Sequence, residues 1–255
     1  MPYGTLASVY EWLTPDAMLE PAGAVAAFAM VVDELPQGAR VLDCAAGTGQ
    51  LAVGLGLRGF DSVATDASPE MIERTRALAD ERGARLTARV CTWEELAGQG
   101  WQGAFHAVFC VGNSLTHAAG EAGRRAALAA MAGVLAEGGL LAVTSRNWEK
   151  VRDAGPGLQV AESLTERAGG PALVVHAWNF AETWDEPHHL DVGVAVLGKQ
   201  GSVTPYRERL EFWPFSHEEL EADMRSAGLE PVSSTYAEEE ERYLVVARIR
   251  VSPAR

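Results

Sequence analysis

Between residues 39 and 146, short apolar segments alternate with helical ones, and this rhythm constrains the fold more than any other feature. "ARVLDC" (39–44) reads as a buried strand and "GQLAVGLGLRG" (49–59) as a helix ended by Gly59. "DSVATD" (61–66) is a second strand. A helix over 68–83 follows, with Ser68 as N-cap, Pro69 at N1, Met71 and Ile72 on its apolar face and Gly83 at its close. "RLTARV" (85–90), "FHAVFCV" (105–111) and "LLAVTSR" (140–146) supply three more strands, the last two separated by a helix over 122–139. Such alternation predicts a doubly wound, mostly parallel α/β sheet. Its ligands would bind at the carboxyl ends of the strands, near the switch in strand order.

The flanks break the rhythm. Residues 1–38 read as helical: Tyr3, Ala7 and Tyr10 share a face, and Asp16 to Glu34 continues an Ala-rich amphipathic pattern. Within 156–214, "ALVVHAWNFAETW", "HHLDVGVAVLGK" and "VTPYRERLEFW" predict an antiparallel insertion of three strands. Ser216 and Glu219 form a capping box that opens a helix running to Gly228, and "EPVSSTYA" and "RYLVVARIR" close the chain as paired strands.

Composition narrows the class of function. A length of 255 residues suits one α/β domain with an insertion, and 47% hydrophobic residues sustain a core. A net charge of −14 repels phosphate backbones, so nucleic acid is not expected as a partner. No apolar run approaches the ~20 residues of a membrane span, and a cytoplasmic location away from membranes is expected. Cys44, Cys91 and Cys110 lack metal-ligand spacing, and His188-His189 sits in a predicted turn without carboxylate or cysteine partners, so no metal is expected.

"VLDCAAGTG" (41–49) places Gly47 and Gly49 in the turn between the first strand and its helix, where a ligand can approach the backbone. The pattern G-x-G-x-x-A fits a dinucleotide fold equally well, and Asp66 at the end of the second strand would hold ribose hydroxyls in either case. Asp43 discriminates. A carboxylate there repels a pyrophosphate but attracts the ammonium of S-adenosylmethionine, which carries no phosphate.

At this point the chain resembles the class I S-adenosylmethionine-dependent methyltransferases, whose first motif is similar to "VLDCAAGTG". The resemblance implies a seven-stranded Rossmann-like methyltransferase sheet assembled from four segments. These are a helical N-terminal lid (1–38), a cofactor-binding core (39–150), an antiparallel β insertion covering the substrate (151–214), and a C-terminal helix and strands (215–255). It implies S-adenosyl-L-methionine as cofactor and S-adenosyl-L-homocysteine as product. Asp43, Ala45, Gly47, Gly49, Asp66, Ala67, Met71, Thr92, Trp93, Cys110 and Val111 are the implied cofactor-binding residues. Met71 reads equally as core packing, and Trp93 as a helix-capping core residue.

"GNSLTH" (112–117) and "SRNW" (145–148) leave adjacent strands beside the cofactor. An amide at Asn113 and a guanidinium at Arg146 suit a substrate carboxylate. This pair resembles the glycine/sarcosine N-methyltransferase family, which implies that Asn113 and Arg146 bind the acceptor's carboxylate. Leu115, Ser145 and Trp148 depart from that family's pattern. The family also uses tyrosine hydroxyls, for which Tyr10 and Tyr206 are the candidates. Arg146 as a surface ion pair, Asn113 as a left-handed turn residue and His117 as a cap are the plainer readings. The favoured function is methyl transfer to the amine of glycine, sarcosine or a related small carboxylate. An O- or C-methyltransferase with His117 as base and a non-catalytic cofactor-binding protein are the rivals. The expected partner is a small-molecule methyl acceptor, and homo-oligomerisation is left open.

Overall fold

The computed structural model describes residues 4–250; Tyr3, one of the aromatic residues placed on the N-terminal helical face, lies outside them. The strands β1 (Arg40–Asp43), β2 (Asp61–Asp66), β3 (Leu86–Val90), β4 (Phe105–Cys110) and β5 (Leu135–Arg146) pair in parallel. Between and around them run α1 (Pro21–Ala26), α2 (Ala29–Val32), α3 (Gln50–Leu57), α4 (Pro69–Arg82) and α5 (Gly120–Val134). The chain continues through α6 (Trp148–Ala154), the strands β6 (Gly157–Val160), β7 (Thr165–Arg167), β8 (Gly170–Asn179), β9 (His188–Leu197) and β10 (Val203–Phe212), then α7 (His217–Ser226), β11 (Leu229–Ser234) and β12 (Arg242–Ile249).

Two sheets result. The first is seven-stranded in the order β11-β12-β5-β4-β1-β2-β3, with β12 antiparallel to both neighbours. Order reverses between β1 and β4, which puts the loops after these strands side by side at one edge. Its central strands β1, β4 and β5 are apolar on both faces: Val41, Ala107, Phe109 and Ala142 meet α1, α2 and α3, while Leu42, Val108, Leu141 and Val143 meet α5 and α7. Burial on both sides explains why these strands read as continuous apolar runs. The second sheet, β10-β9-β8-β6 with β7 on β8, is antiparallel. Along its inner face an aliphatic end, Ala172, Val174 and Val194, packs against Leu6, Val9 and Trp12, while an aromatic end gathers Trp178 and Phe212 with Trp148.

The structure departs from the sequence reading in four places. The N-terminal segment is broken into 3-10 turns at Leu6–Leu13 and Asp16–Met18 and two short helices. Pro21 starts a new helix, and Phe28 leaves helical geometry at φ −117°. The helix expected to 139 ends at Val134, because Leu135 enters β5 and Gly138 adopts φ 73°. Asn147 caps the unforeseen α6 by accepting from the Lys150 N–H. The insertion holds five strands rather than three, since β6 and β7 are too short for a periodic pattern. The caps at Ser68 and Ser216 form as their spacing dictates.

Candidate active site

β1 ends on Asp43 and β2 on Asp66, so two carboxylates stand at the carboxyl edge of adjacent parallel strands. Between them Gly47 and Gly49 take left-handed conformations, φ 55° and 93°. The Gly47 N–H donates to Asp66 Oδ2 at 2.9 Å, and the Ser68 N–H donates to Oδ1 at 2.9 Å. Thr75 Oγ1 donates to the Gly47 carbonyl at 2.9 Å, drawing α4 onto the turn. A Cβ on Gly49 would lie 2.9 Å from Thr75 Cα, so this close approach requires glycine.

Asp43 is 1% exposed, and its Oδ1 has no hydrogen-bond partner among the described residues. Burial pushes its carboxyl up to about 7, opposed by a hydrogen bond from the Ala45 backbone and helped by the neighbouring Asp66. It lies on the wall of a cavity of about 310 Å³ that also takes in Ala45, Gly47, Val111 and Gly112. A buried carboxylate with an open oxygen on a cavity wall is a site for a cation.

A second cavity, of about 100 Å³, adjoins the first, and Tyr10, Leu13, Gly112 and Arg242 line both. Asn113, Thr116 and His117 enter it from the loop after β4, Arg146 from the end of β5 and Trp148 from the start of α6. The second sheet covers it with His176, Trp178, Leu190, Val192, Leu210 and Phe212. The Arg146 guanidinium lies over the Trp178 ring at 5.3 Å, a cation–π contact. Asn113 holds φ 69°, and its Oδ1 accepts the Arg146 N–H at 2.9 Å while its Nδ2 donates to Thr116 Oγ1 at 3.2 Å. The amide thus ties the exit of β4 to the end of β5. Asn113 is a left-handed turn residue and a cavity residue at once.

His117 is held with Nδ1 2.8 Å from the Glu211 carbonyl. As Nδ1–H donates there, Nε2 is the acceptor nitrogen of the neutral ring. Burial lowers the His117 pKa, against that bond and the charge of Asp66. His176 is also lowered, by burial first and then by Arg146 and Arg242. Tyr10, from the N-terminal 3-10 turn, comes within 3.9 Å of the position a Cβ would take on Gly47. Burial and Asp66 raise its phenol, and Arg242 opposes them.

Residues 41–139 match the family model described as a methyltransferase domain. The chain is 40% identical over 119 residues to a glycine/sarcosine N-methyltransferase of Parasynechococcus marenigrum, covering 46% of this chain and 42% of that protein. A glycine/sarcosine/dimethylglycine N-methyltransferase of Actinopolyspora halophila is 30% identical over 207 residues, 80% of this chain and 33% of its own length. The chain therefore spans less than half the length of these curated relatives. The S-adenosylmethionine-bound structure of CalS10, an amino pentose methyltransferase from Micromonospora echinaspora, superposes with a TM-score of 0.71 at 19% identity, covering 98% of each chain. Residues 41–139 are a methyltransferase domain, and the chain is similar to S-adenosylmethionine-dependent methyltransferases.

The residues present fit the cofactor of a class I methyltransferase. The open Oδ1 of Asp43 suits its ammonium, and the glycine turn leaves the backbone approachable. Each Asp66 oxygen accepts one backbone N–H and keeps acceptor capacity for a ribose hydroxyl. Of the expected cofactor residues, Asp43, Ala45, Gly47 and Val111 line the larger cavity. Gly49 and Ala67 shape the turns beside it, the Ala67 backbone bonding the Asp66 carboxylate. Met71 is buried as core, and Cys110 is buried in the core beside Cys44. Trp93 donates from Nε1 to the Cys44 carbonyl at 2.9 Å, and the Thr92 N–H donates to Glu95. These four, like Gly49, Asp66 and Ala67, are not among the residues lining either cavity.

Of the expected acceptor residues, Tyr10, Asn113, His117 and Arg146 come together. Tyr206 does not join them. It sits further along β10, against the Leu6, Val9 and Trp12 cluster. His188, expected in a turn, instead starts β9, where it is 3% exposed and accepts the Ala181 N–H. Arg242, His176 and Trp178 are cavity residues that the sequence reading missed. Only the strand register, which sets Arg242 opposite Arg146, reveals the first of them.

Proposed function

We propose that this chain transfers the methyl group of S-adenosylmethionine to the amine of a small acceptor that carries a carboxylate. The observation that carries this reading is Arg146, stacked over Trp178 with its backbone held by Asn113, in a cavity that shares a wall with the one bearing Asp43. The two relatives named for glycine and sarcosine support an amine acceptor.

S-Adenosylmethionine supplies an electrophilic methyl group on a sulfonium. The protein's work is to present a neutral amine in line with it. Arg146 would grip the carboxylate through its fork of N–H donors. The stack on Trp178 and the Asn113 bond would hold that fork in place. Arg146 and Arg242, together with the apolar roof of Leu190, Val192 and Leu210, would lower the acceptor's ammonium pKa, so that it reacts without a strong base. The segment carrying Tyr10 and Leu13 would close both cavities against water.

One observation favours a second reading. The neutral His117, with Nε2 as its acceptor nitrogen, could serve as base for a hydroxyl acceptor. Label transfer from methyl-labelled S-adenosylmethionine separates the two. The panel holds glycine, sarcosine, larger amino acids and phenolic acids. Label on amines bearing carboxylates supports the proposal. Label confined to hydroxyl compounds, abolished in His117→Ala, overturns it.

A further inference from the structure

An amino acid seated in the acceptor cavity needs opposite partners at its two ends. Its carboxylate asks for donors, a role proposed for Arg146, and the N–H of its amine asks for an acceptor. Several polar side chains on the wall are already engaged with the protein. Asn113 uses both ends of its amide, and Thr116 Oγ1 receives one bond while giving another to the Asn113 carbonyl at 2.7 Å. His117 Nδ1 is held by the Glu211 carbonyl. His176 lines the same cavity and makes no hydrogen bond among the described residues.

The pleat of β8 puts it there. Ala172, Val174 and Trp178 share the inner face of the second sheet, and His176 occupies the position between Val174 and Trp178 in that alternation. Opposite it on β9 stands Val192, another cavity residue. An imidazole thus takes a place on a face otherwise given to apolar side chains. Burial, and then the charges of Arg146 and Arg242, hold its pKa below the usual histidine value, so the ring is neutral at pH 7. Tyr10 and His117 are the other titratable groups on the cavity wall. A neutral imidazole offers one N–H and one lone pair, and the lone pair suits an amine N–H.

We propose that His176 accepts an N–H from the acceptor's amine and thereby restricts methyl transfer to primary and secondary amines. The inference rests on the N-methyltransferase reading and adds to it a limit on the number of methyl groups. In each productive transfer the amine lone pair forms the N–C bond as the S–C bond breaks. The electron pair of that bond stays on sulfur, and the product ammonium then gives its proton to solvent. A neutral primary amine has two N–H bonds and a secondary amine one, so each can donate to His176 and keep its lone pair for the methyl carbon. A tertiary amine can meet the imidazole only by accepting from its N–H or, once protonated, by donating to it. Both arrangements occupy the lone pair that must attack. Glycine and sarcosine therefore satisfy the site, and N,N-dimethylglycine does not.

Glycine, sarcosine and N,N-dimethylglycine are the probes, assayed for label transfer at saturating S-adenosylmethionine with wild type, His176→Leu, His176→Gln and His117→Leu. If label falls instead on a larger amino acid, that compound and its N-methyl and N,N-dimethyl forms take their place. Circular dichroism and S-adenosylhomocysteine affinity check that the variants keep their fold. In wild type, kcat/KM for the primary and secondary amines is expected to exceed that for the tertiary amine by about 100-fold or more. His176→Leu lowers the first two values, and their ratio to the third shrinks by about 10- to 100-fold. His176→Gln keeps an acceptor oxygen and restores part of the rates and of the ratio. A wild type that labels the tertiary amine as readily as the secondary one overturns the inference. So does a ratio unmoved in His176→Leu, or one that moves only in His117→Leu, while label on the amines still upholds N-methylation. A loss of S-adenosylhomocysteine affinity in both His176 variants overturns it as well, because His176 would then serve the fold. Label confined to hydroxyl compounds overturns the N-methyltransferase reading and the inference with it.

Discussion

The two cavities that meet at Tyr10, Leu13, Gly112 and Arg242 are built on different principles. The larger one rests on the ends of β1 and β4 and a single glycine turn. Its floor comes from backbone and small side chains around one buried carboxylate, and Tyr10, Leu13, Met18, Phe28 and Tyr243 complete its walls. The smaller one is assembled mostly from side chains of the N-terminal turn, the loop after β4, the junction of β5 and α6, the strands β8, β9 and β10 of the second sheet, and the start of β12. A backbone-built site holds one ligand shape and tolerates little change. A site built from side chains on a separate sheet can be re-lined without disturbing the glycine turn of the other cavity. On the proposed reading, the cofactor takes the first cavity and the acceptor the second.

The strongest way to break this comparison is to attack the turn. Gly49→Ala places a Cβ 2.9 Å from Thr75 Cα at φ 93°. It is expected to cost about 2–5 kcal/mol, from left-handed strain and overpacking together. Urea unfolding measures it, and a loss below about 1 kcal/mol would show that α4 can recede at little cost.

Asp43→Asn tests the charge on the donor side. S-Adenosylhomocysteine affinity is expected to fall by about 100-fold, as an ammonium loses its buried partner. The free protein should respond oppositely. Burial raises the Asp43 carboxyl to about 7, so the folded state holds its proton more firmly than the unfolded chain does. Stability of the ligand-free protein therefore falls as pH climbs from about 4 through 7, and Asp43→Asn removes that loss. Ligand affinity runs the other way, declining by up to about tenfold per pH unit below about 7, because the bound ammonium requires the ionised carboxylate. Thermal melts and calorimetry between pH 5.5 and 8.5 read both slopes. A pH-independent affinity would remove Asp43 from the account.

Smaller effects sharpen the acceptor side. Asn113→Ala releases the Arg146 backbone without touching its guanidinium, and acceptor KM is expected to rise about tenfold with kcat changed less. Tyr206→Phe should leave both constants within about twofold, because its ring packs with Leu6, Val9 and Trp12 away from the acceptor cavity. A large loss on Tyr206→Phe would move the acceptor along β10.

The same division governs what the sequence disclosed. The strands of the first sheet, the Ser68 cap and the glycine turn are local patterns, each written within a few residues. Asp43 was legible because it stands within a few residues of the glycine turn whose cavity it lines. Arg146 and Asn113 were legible as a pair because adjacent parallel strands end together. Arg242 was not, since only pairing across about a hundred residues sets it opposite Arg146. Tyr206 misled for a related reason. It shares a face of β10 with Leu210 and Phe212, but its distance along the strand carries it to the aliphatic end. α6 escaped because Asn147 was read as part of a motif, whereas its side chain also caps a helix and donates to the Ala237 and Glu238 carbonyls.

The central claim is that donor and acceptor are held by separate cavities, with Arg146 belonging to the acceptor alone. Arg146→Gln, assayed for acceptor kcat/KM and for S-adenosylhomocysteine dissociation constant on one preparation, tests it most directly. A fall of about 100-fold or more in kcat/KM, carried by KM, with the dissociation constant unchanged, is the predicted result. A dissociation constant that rises in step, or an acceptor constant that does not move, would contradict it.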